Sequence, residues 1–359
     1  MKTKFTFVLI IISGFLILSC DKGDDNAQES DMTSQGSLLT KSASESRGSS
    51  EIHRAYPKEE AEVLATFGAI AQSIIAGAGN GYDGEFMDQL ISFHDYEGYT
   101  FTEFNYDFNG VGHSYTAAEN EDNERTLFGT IVDPEGVQKF AAKEGTLKIA
   151  VYYGNVANLT FISDFELLID GILHPVNNLI TLLFVKTDGE WKLVHEHHSP
   201  KEMVASTEGE TSYPSEQADL SSEAQQEVYN TFMAIRQSIL DNSGTGPDNM
   251  DELISFHAYG PKFTEFNYDG ITGYSFNSEE NEANERAFFG NHTVTQFAAK
   301  ANTVNIVVYH ENVANVTFIS DFVVDGIGPI NNLITLLFVK IKGDWKLVHE
   351  HHSPENLPG

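Results

Sequence analysis

Apolar positions first recur along this chain at helical spacing. Leu64, Phe67, Ala71, Ile74 and Ile75 follow Lys58 at such intervals, and Gly77 and Gly79 end the run, which predicts a helix. A short second helix is expected over 85–93, then an extended TFTEFNYD (100–107) and a polar, helix-like ENEDNERTLF (119–128). Beyond these the period falls to two, and strands are expected at 147–153, 156–168, 177–186 and 191–198. Residues 179–185 are apolar on both faces and read as a central strand, joined through Thr187-Asp188-Gly189-Glu190 to the next. In that next stretch, WKLVHEHHSP, strict alternation places Trp191, Leu193, His195, His197 and Ser199 on one side. Lys192, Val194, Glu196 and His198 take the other. A dry strand thus feeds a histidine-rich one, which predicts a polar cluster at the mouth of a β-walled core.

The same programme is written twice. NNLITLLFVK at 177–186 returns at 331–340, and WKLVHEHHSP at 191–200 returns at 345–354. LISFH, TEFNYD and FISDF also recur, from Leu90 and Leu253, Thr102 and Thr264, Phe161 and Phe318. Copies of about 140 residues are too long for solenoid units, so each is a helix-then-sheet domain of α+β class. The expected domains are 57–200 and 222–356. Residues 201–221, rich in Ser, Thr and Glu, form a linker that stops at a capping box, Ser222 to Gln225. Residues 20–56 lack the apolar area to offset chain entropy and read as a disordered tether. Ahead of them Lys2 and Lys4 precede an apolar run at 5–18, which suits a signal peptide over 1–19.

Two resemblances sharpen this reading. Ile17-Leu18-Ser19-Cys20 resembles a bacterial lipobox, which implies lipid on Cys20, the only cysteine in the chain. Several acyl chains there anchor a protein without a transmembrane helix. Asp21-Lys22-Gly23-Asp24-Asp25 resembles the post-cysteine signals of surface-exposed Bacteroidetes lipoproteins. The implied location is the cell envelope, as an outer-membrane lipoprotein facing the surface or the periplasm. Within each repeat, helix, short helix, strand, helix and a long meander ending in W-K-L-V-H-x-H-x-S resemble the SnoaL-like branch of the nuclear transport factor 2-like superfamily. That resemblance implies two tandem cystatin-like cones, each with N-terminal helices packed on a curved antiparallel sheet around a pocket. Such domains commonly pair through the outer faces of their sheets, so the two copies are expected to pair with each other. The family holds cyclases, isomerases, dehydratases and non-enzymatic binding or assembly modules, so the fold by itself assigns no reaction.

Charge narrows the partners. Lys+Arg 21 against Asp+Glu 53 gives −32, which argues against nucleic acid and anionic headgroups. P-loop, Rossmann, G-x-S-x-G and HExxH signatures are absent from the sequence, and no cofactor is expected. Three repeated sets could carry chemistry. The first is His195, His197 and His198, with His349, His351 and His352; of these His195 and His197, with His349 and His351, are candidate bases, pocket-wall residues or metal ligands that lack a visible third partner. Asp164 and Asp321 sit in mid-strand, either beside those histidines as a base pair or facing out as surface charge. Glu103 and Glu265 lie between phenylalanines, where a carboxyl pKa rises; alternatively Glu103 bridges to Arg125, and its counterpart to Arg286. His94 ends a helix, where the dipole favours a cation. The leading expectation is a small organic ligand in each domain. An acid/base isomerase, cyclase or dehydratase is the alternative, and a structural or assembly module the second.

Overall fold

Pro57 in the first turn, with Glu59 and Glu60 beside the helix's positive end, starts α1 (Pro57–Gly77). It buries Val63, Ile70 and Ile74 against the inner face of a sheet that offers Leu159, Phe161, Leu182 and Phe184. Glu62 fastens the helix by accepting from Trp191 Nε1 (3.1 Å) and Lys186 Nζ (2.5 Å). After α2 (Glu85–Ser92) come β1 (Thr102–Tyr106), β2 (Gly112–Tyr115) and α3 (Ala117–Thr126), which runs into a π-helical turn at Leu127–Ile131. The meander follows as β3 (Val137–Ala142), β4 (Lys148–Tyr152), β5 (Val156–Ile169), β6 (Ile172–Val176), β7 (Asn178–Thr187) and β8 (Glu190–Pro200). Strand order is β2-β1-β8-β7-β5-β3, with β4 and β6 also on β5, and β1 runs parallel to β8.

The second half repeats this as α4 (Glu223–Asn242), α5 (Asp251–Ser255), β9 (Thr264–Tyr268), β10 (Gly273–Phe276) and α6 (Ser278–Asn291). Its meander is β11 (Val294–Ala299), β12 (Asn305–Tyr309), β13 (Val313–Val324), β14 (Gly328–Ile330), β15 (Asn332–Ile341) and β16 (Asp344–Pro354). The class is α+β, two eight-stranded sheets each carrying helices on one face. This computed structural model describes residues 51–107, 110–203 and 220–355, all inside one unit, Ser42–Gly359. The signal peptide, Cys20, most of the tether and most of the linker lie outside the described residues. The last residues of the expected tether do not behave as tether. Glu51, Ile52 and Tyr56 are buried, because Ile52 joins an apolar cluster and Glu51 accepts from the Tyr56 hydroxyl and the Tyr153 amide.

One irregularity decides what each sheet face carries. Leu183 lies opposite His195, but Phe184 lies opposite Leu193, so Val194 is an extra residue in β8. Such a bulge reverses the alternation beyond it. Trp191 and Leu193 face the inner core. Val194 turns to the outer face, and His195, His197 and Ser199 follow the outward Leu183, Thr181 and Leu179. Glu196 and His198, opposite Leu182 and Ile180, point inward. The expected grouping of Trp191 and Leu193 with His195 and His197 is therefore corrected. β16 carries the same bulge between Leu347 and His349.

The two outer faces meet. Ala150, Tyr152, Val156, Leu183, Val185 and Val194 form one buried cluster with Val307, Tyr309, Val313, Leu337, Val339 and Val348. Backbone contacts are reciprocal along this seam: Gly273 N donates to Lys201 O (2.7 Å) and Gly112 N to Glu355 O (3.2 Å). Tyr268 donates to Pro200 O at 2.5 Å, and Tyr106 to Pro354 O.

Candidate functional site

The four outward histidines are locked in the seam. His195 Nδ1 lies 3.0 Å from the Thr102 carbonyl; a carbonyl only accepts, so Nδ1 carries the proton and Nε2 accepts from Thr335 Oγ1 (3.0 Å). With its proton spent there, Thr335 accepts from His197 Nδ1 (3.0 Å), whose Nε2 accepts from Ser353 (2.8 Å). The mirror chain runs through Thr264, His349, Thr181, His351 and Ser199. All four rings are essentially buried. Burial lowers the pKa of His195 and of His349 to about 3, and it depresses His197 and His351 in the same direction. Neutral rings whose nitrogens are all engaged neither take a substrate proton nor bind a metal in this state. Their visible role is to join the halves.

The aspartates lie elsewhere. Asp164 sits opposite Ala141 and pairs with Lys139 Nζ at 2.5 Å, with its side chain 37 % exposed. Asp321 occupies the same place opposite Ala298. The structure does not bring either one to the histidines. Nor does Glu103 pair with Arg125, which binds Asp88 and Glu121 (both 2.9 Å); Arg286 likewise takes Asp251 and Glu282. Both arginines are engaged by these partly exposed carboxylates instead.

Glu103 instead belongs to a polar cluster under the helices. Asn120 of α3, fully buried, donates to Glu103 Oε2 (2.8 Å) and to Glu196 Oε1 (3.2 Å). Asn105 donates to the other Glu103 oxygen (2.8 Å). Glu196 lies between two histidines, His94 Nε2 at 3.2 Å and His198 Nε2 at 2.8 Å. Tyr96 caps the group by donating to Asn120 Oδ1. A capping box at Thr116 and Glu119 fixes the start of α3, so this apolar-poor helix turns Asn120 inward. The second half repeats the set: Asn281 to Glu265 (2.6 Å), His257 to Glu350 (3.0 Å), His352 to Glu350 (3.1 Å) and Tyr259 to Asn281 (2.5 Å). His198 and His352, with side chains 19 % and 22 % exposed, form the outer edge of each cluster.

Electrostatics divides the carboxyls. Burial works against charge on Glu196, but hydrogen bonds from His198 and His94 outweigh it and hold the acid below its ordinary range; Glu350 behaves alike. Burial, then the neighbouring Glu196 charge, raises Glu103. The same causes take Glu265 to about 7. Glu285 rises to about 8, first through burial. Each cluster therefore pairs one ionised glutamate with a facing glutamate that retains its proton more readily, the division seen in acid/base sites. Sequence reasoning singled out Glu103, His198 and their copies Glu265 and His352, but missed Glu196, Asn120 and their copies. The signal was present in the polar helix ENEDNER, whose period leaves Asn120 and Glu124 on one face.

A cavity of about 210 Å³ opens in the seam. It is lined by Lys148, Asn158 and Thr160 of one half and Lys262 and Thr264 of the other.

The match to a family model agrees with the fold. The family model for the SnoaL-like domain matches residues 89–203 and 269–356. Among solved structures, a proposed calcium/calmodulin dependent protein kinase II association domain from Xanthomonas campestris is 17% identical, with TM-score 0.31, covering 41% of this chain and 92% of its own. A proposed dehydratase of the NTF2-like family from Streptomyces avermitilis is 15% identical, with TM-score 0.31, covering 40% and 96%. No curated protein matches the chain.

Proposed function

Because the chain belongs to the SnoaL-like domain family, matched over more than half its length, we propose that each half binds a small organic molecule at its Glu–Asn–Glu–His cluster. The carrying observation is the duplication of that cluster, residue for residue, on the inner face of both sheets. Buried carboxyls are costly, and a site that keeps two of them beside an accessible imidazole is built to meet a polar group. His198 and His352 make the first contact, and Glu196 and Glu350 orient them. The protein is read as a lipid-anchored envelope protein, held through Cys20, whose halves act as one paired body; the reciprocal seam hydrogen bonds support the pairing.

Thermal-shift screening of the detergent-solubilised full chain against small organic acids, amides and alcohols tests the site. A ligand whose stabilisation disappears in His198→Ala/His352→Ala supports it. A panel with no hit, or a hit indifferent to both changes, overturns it. Cys20→Ala is expected to move the chain from the membrane to the soluble fraction, and retention on the membrane would remove the lipid from the reading.

A second reading, an acid/base isomerase, cyclase or dehydratase, is favoured by Glu103 facing Glu196 across one asparagine, an acid beside a base. Solvent-deuterium exchange into a bound ketone, lost in Glu196→Gln, distinguishes it from binding alone.

A further inference from the structure

We propose that the cluster of the second half is a divalent transition-metal site, with His257, Glu285 and Glu350 as its protein ligands. This deepens the preceding reading and rests on its placing of the site under the helices. His257, Glu285 and Glu350 each offer one ligand atom, and the three atoms lie within 4.8 Å of one another. His257 Nε2 is 3.0 Å from Glu350 Oε1 and 3.4 Å from Glu285 Oε2. An ion with bonds of about 2.0–2.1 Å to tetrahedral ligands sets those ligands about 3.3 Å apart, so the His257–Glu350 and His257–Glu285 separations already lie close to the edge lengths of such a polyhedron.

The supporting shell agrees. His257 Nδ1 donates to the Leu253 carbonyl at 3.2 Å, which aims Nε2 at the carboxylates, where it donates to Glu350 and where a bound ion would replace that proton. Glu350 is held from its other oxygen by His352 (3.1 Å). Glu285 Oε2 is buried and makes no hydrogen bond, an unspent acceptor directed at the same point. Glu265 adds a third carboxyl, 2 % exposed, behind Asn281. One imidazole nitrogen with two carboxylate oxygens suits zinc, cobalt or manganese better than soft or purely oxygen-seeking ions.

The first half carries the same residue types in His94, Glu124 and Glu196. Among the described residues, only the group in the second half converges this closely. The helices differ too: α3 gives way to a π-helical turn at Leu127–Ile131, whereas α6 continues regularly to Asn291. One ion per chain is therefore expected.

The test uses the untagged full chain in detergent, stripped with chelator and titrated with zinc or cobalt alone against a chromophoric chelator. About one equivalent should bind, with a cobalt d–d band, and Glu285→Gln should weaken affinity at least about tenfold. Asp164→Asn, on a distant strand, should leave both readouts unchanged. Glu285→Gln preserves size, and an unaltered metal-free melting temperature shows that the variant folds. Binding below about a tenth of an equivalent, or binding indifferent to Glu285→Gln, overturns the site. Organic-ligand screening of the stripped protein keeps the two readings separate. Hits without metal binding sink only the metal; a stoichiometric ion with no organic hit sinks only the ligand.

Discussion

His197 and His351, one from each half, stack ring on ring with centroids 3.5 Å apart and planes 11° from parallel. Two imidazolium rings would repel at that distance, so the contact requires neutral rings. The stack and the flanking Thr and Ser hydroxyls make the seam an assembly that holds while its histidines stay unprotonated.

Acid should therefore loosen it. The folded value of His195, about 3, lies below the ordinary 6.5, so the unfolded chain takes up a proton that the fold refuses. Stability from this group is complete above pH 6.5 and falls as the pH drops toward 3, by up to about 1.4 kcal/mol per unit. Its titratable neighbours are Glu196, whose charge favours the proton, and His349 and His198, which oppose it when protonated. Urea unfolding between pH 7 and 4.5 should show a steep loss for the wild type and a shallower one for His195→Gln. Equal slopes would mean that His195 is not a buried neutral ring.

Thr335 serves both His195 Nε2 and His197 Nδ1. Thr335→Val keeps the shape and strands both nitrogens, at a cost of about 1–3 kcal/mol for each unsatisfied group. Thr335→Ser retains the hydroxyl and should cost about 1 kcal/mol. Urea midpoints at constant m-value measure the pair; a valine variant as stable as the serine variant would remove the hydroxyl from the account.

Much of this architecture was readable beforehand. The apolar run of β7, the repeated words and the helix-then-meander order follow directly from period and punctuation. The faces of β8 were not readable, because the bulge residue Val194 is as apolar as Leu193, so nothing in the letters marks the extra position. That slip moved His195 and His197 from the expected core mouth to the seam and turned Glu196 and His198 inward. Burial of Glu103 was foreseeable from its phenylalanine neighbours. Its partner was not, since charge matching favours Arg125, while packing brings the amide of Asn120.

The unequal glutamates predict unequal substitutions. Glu103 is the member that keeps its proton more readily, so Glu103→Gln should cost about 1 kcal/mol, the worth of one rearranged hydrogen bond. Glu196 carries the charge between His94 and His198. Glu196→Gln removes the buried carboxylate that both imidazoles hydrogen-bond and should cost about 3–5 kcal/mol. Denaturant unfolding of both variants at pH 7 checks the order, and equal costs would contradict the division of charge.

The last expectation concerns where the folded body begins. Composition puts that boundary at Pro57, yet Glu51 accepts from the Tyr56 hydroxyl (3.0 Å) and the Tyr153 amide (2.6 Å), and its carbonyl receives Lys262 Nζ (2.8 Å) from the other half. Lys262 also reaches the Val151 carbonyl at 2.6 Å. Burial lowers its pKa to about 8, against the pull of the Glu51 charge. Glu51→Ala removes that charge and orphans a hydroxyl and an amide, so it should destabilise the protein by about 2–5 kcal/mol and lower the Lys262 pKa further. A chain starting at Pro57 also loses the buried Ile52 and should be less stable still. Calorimetry of the three chains, with NMR titration of the Lys262 side chain, decides it: a truncated protein as stable as the full one would return residues 51–56 to the tether.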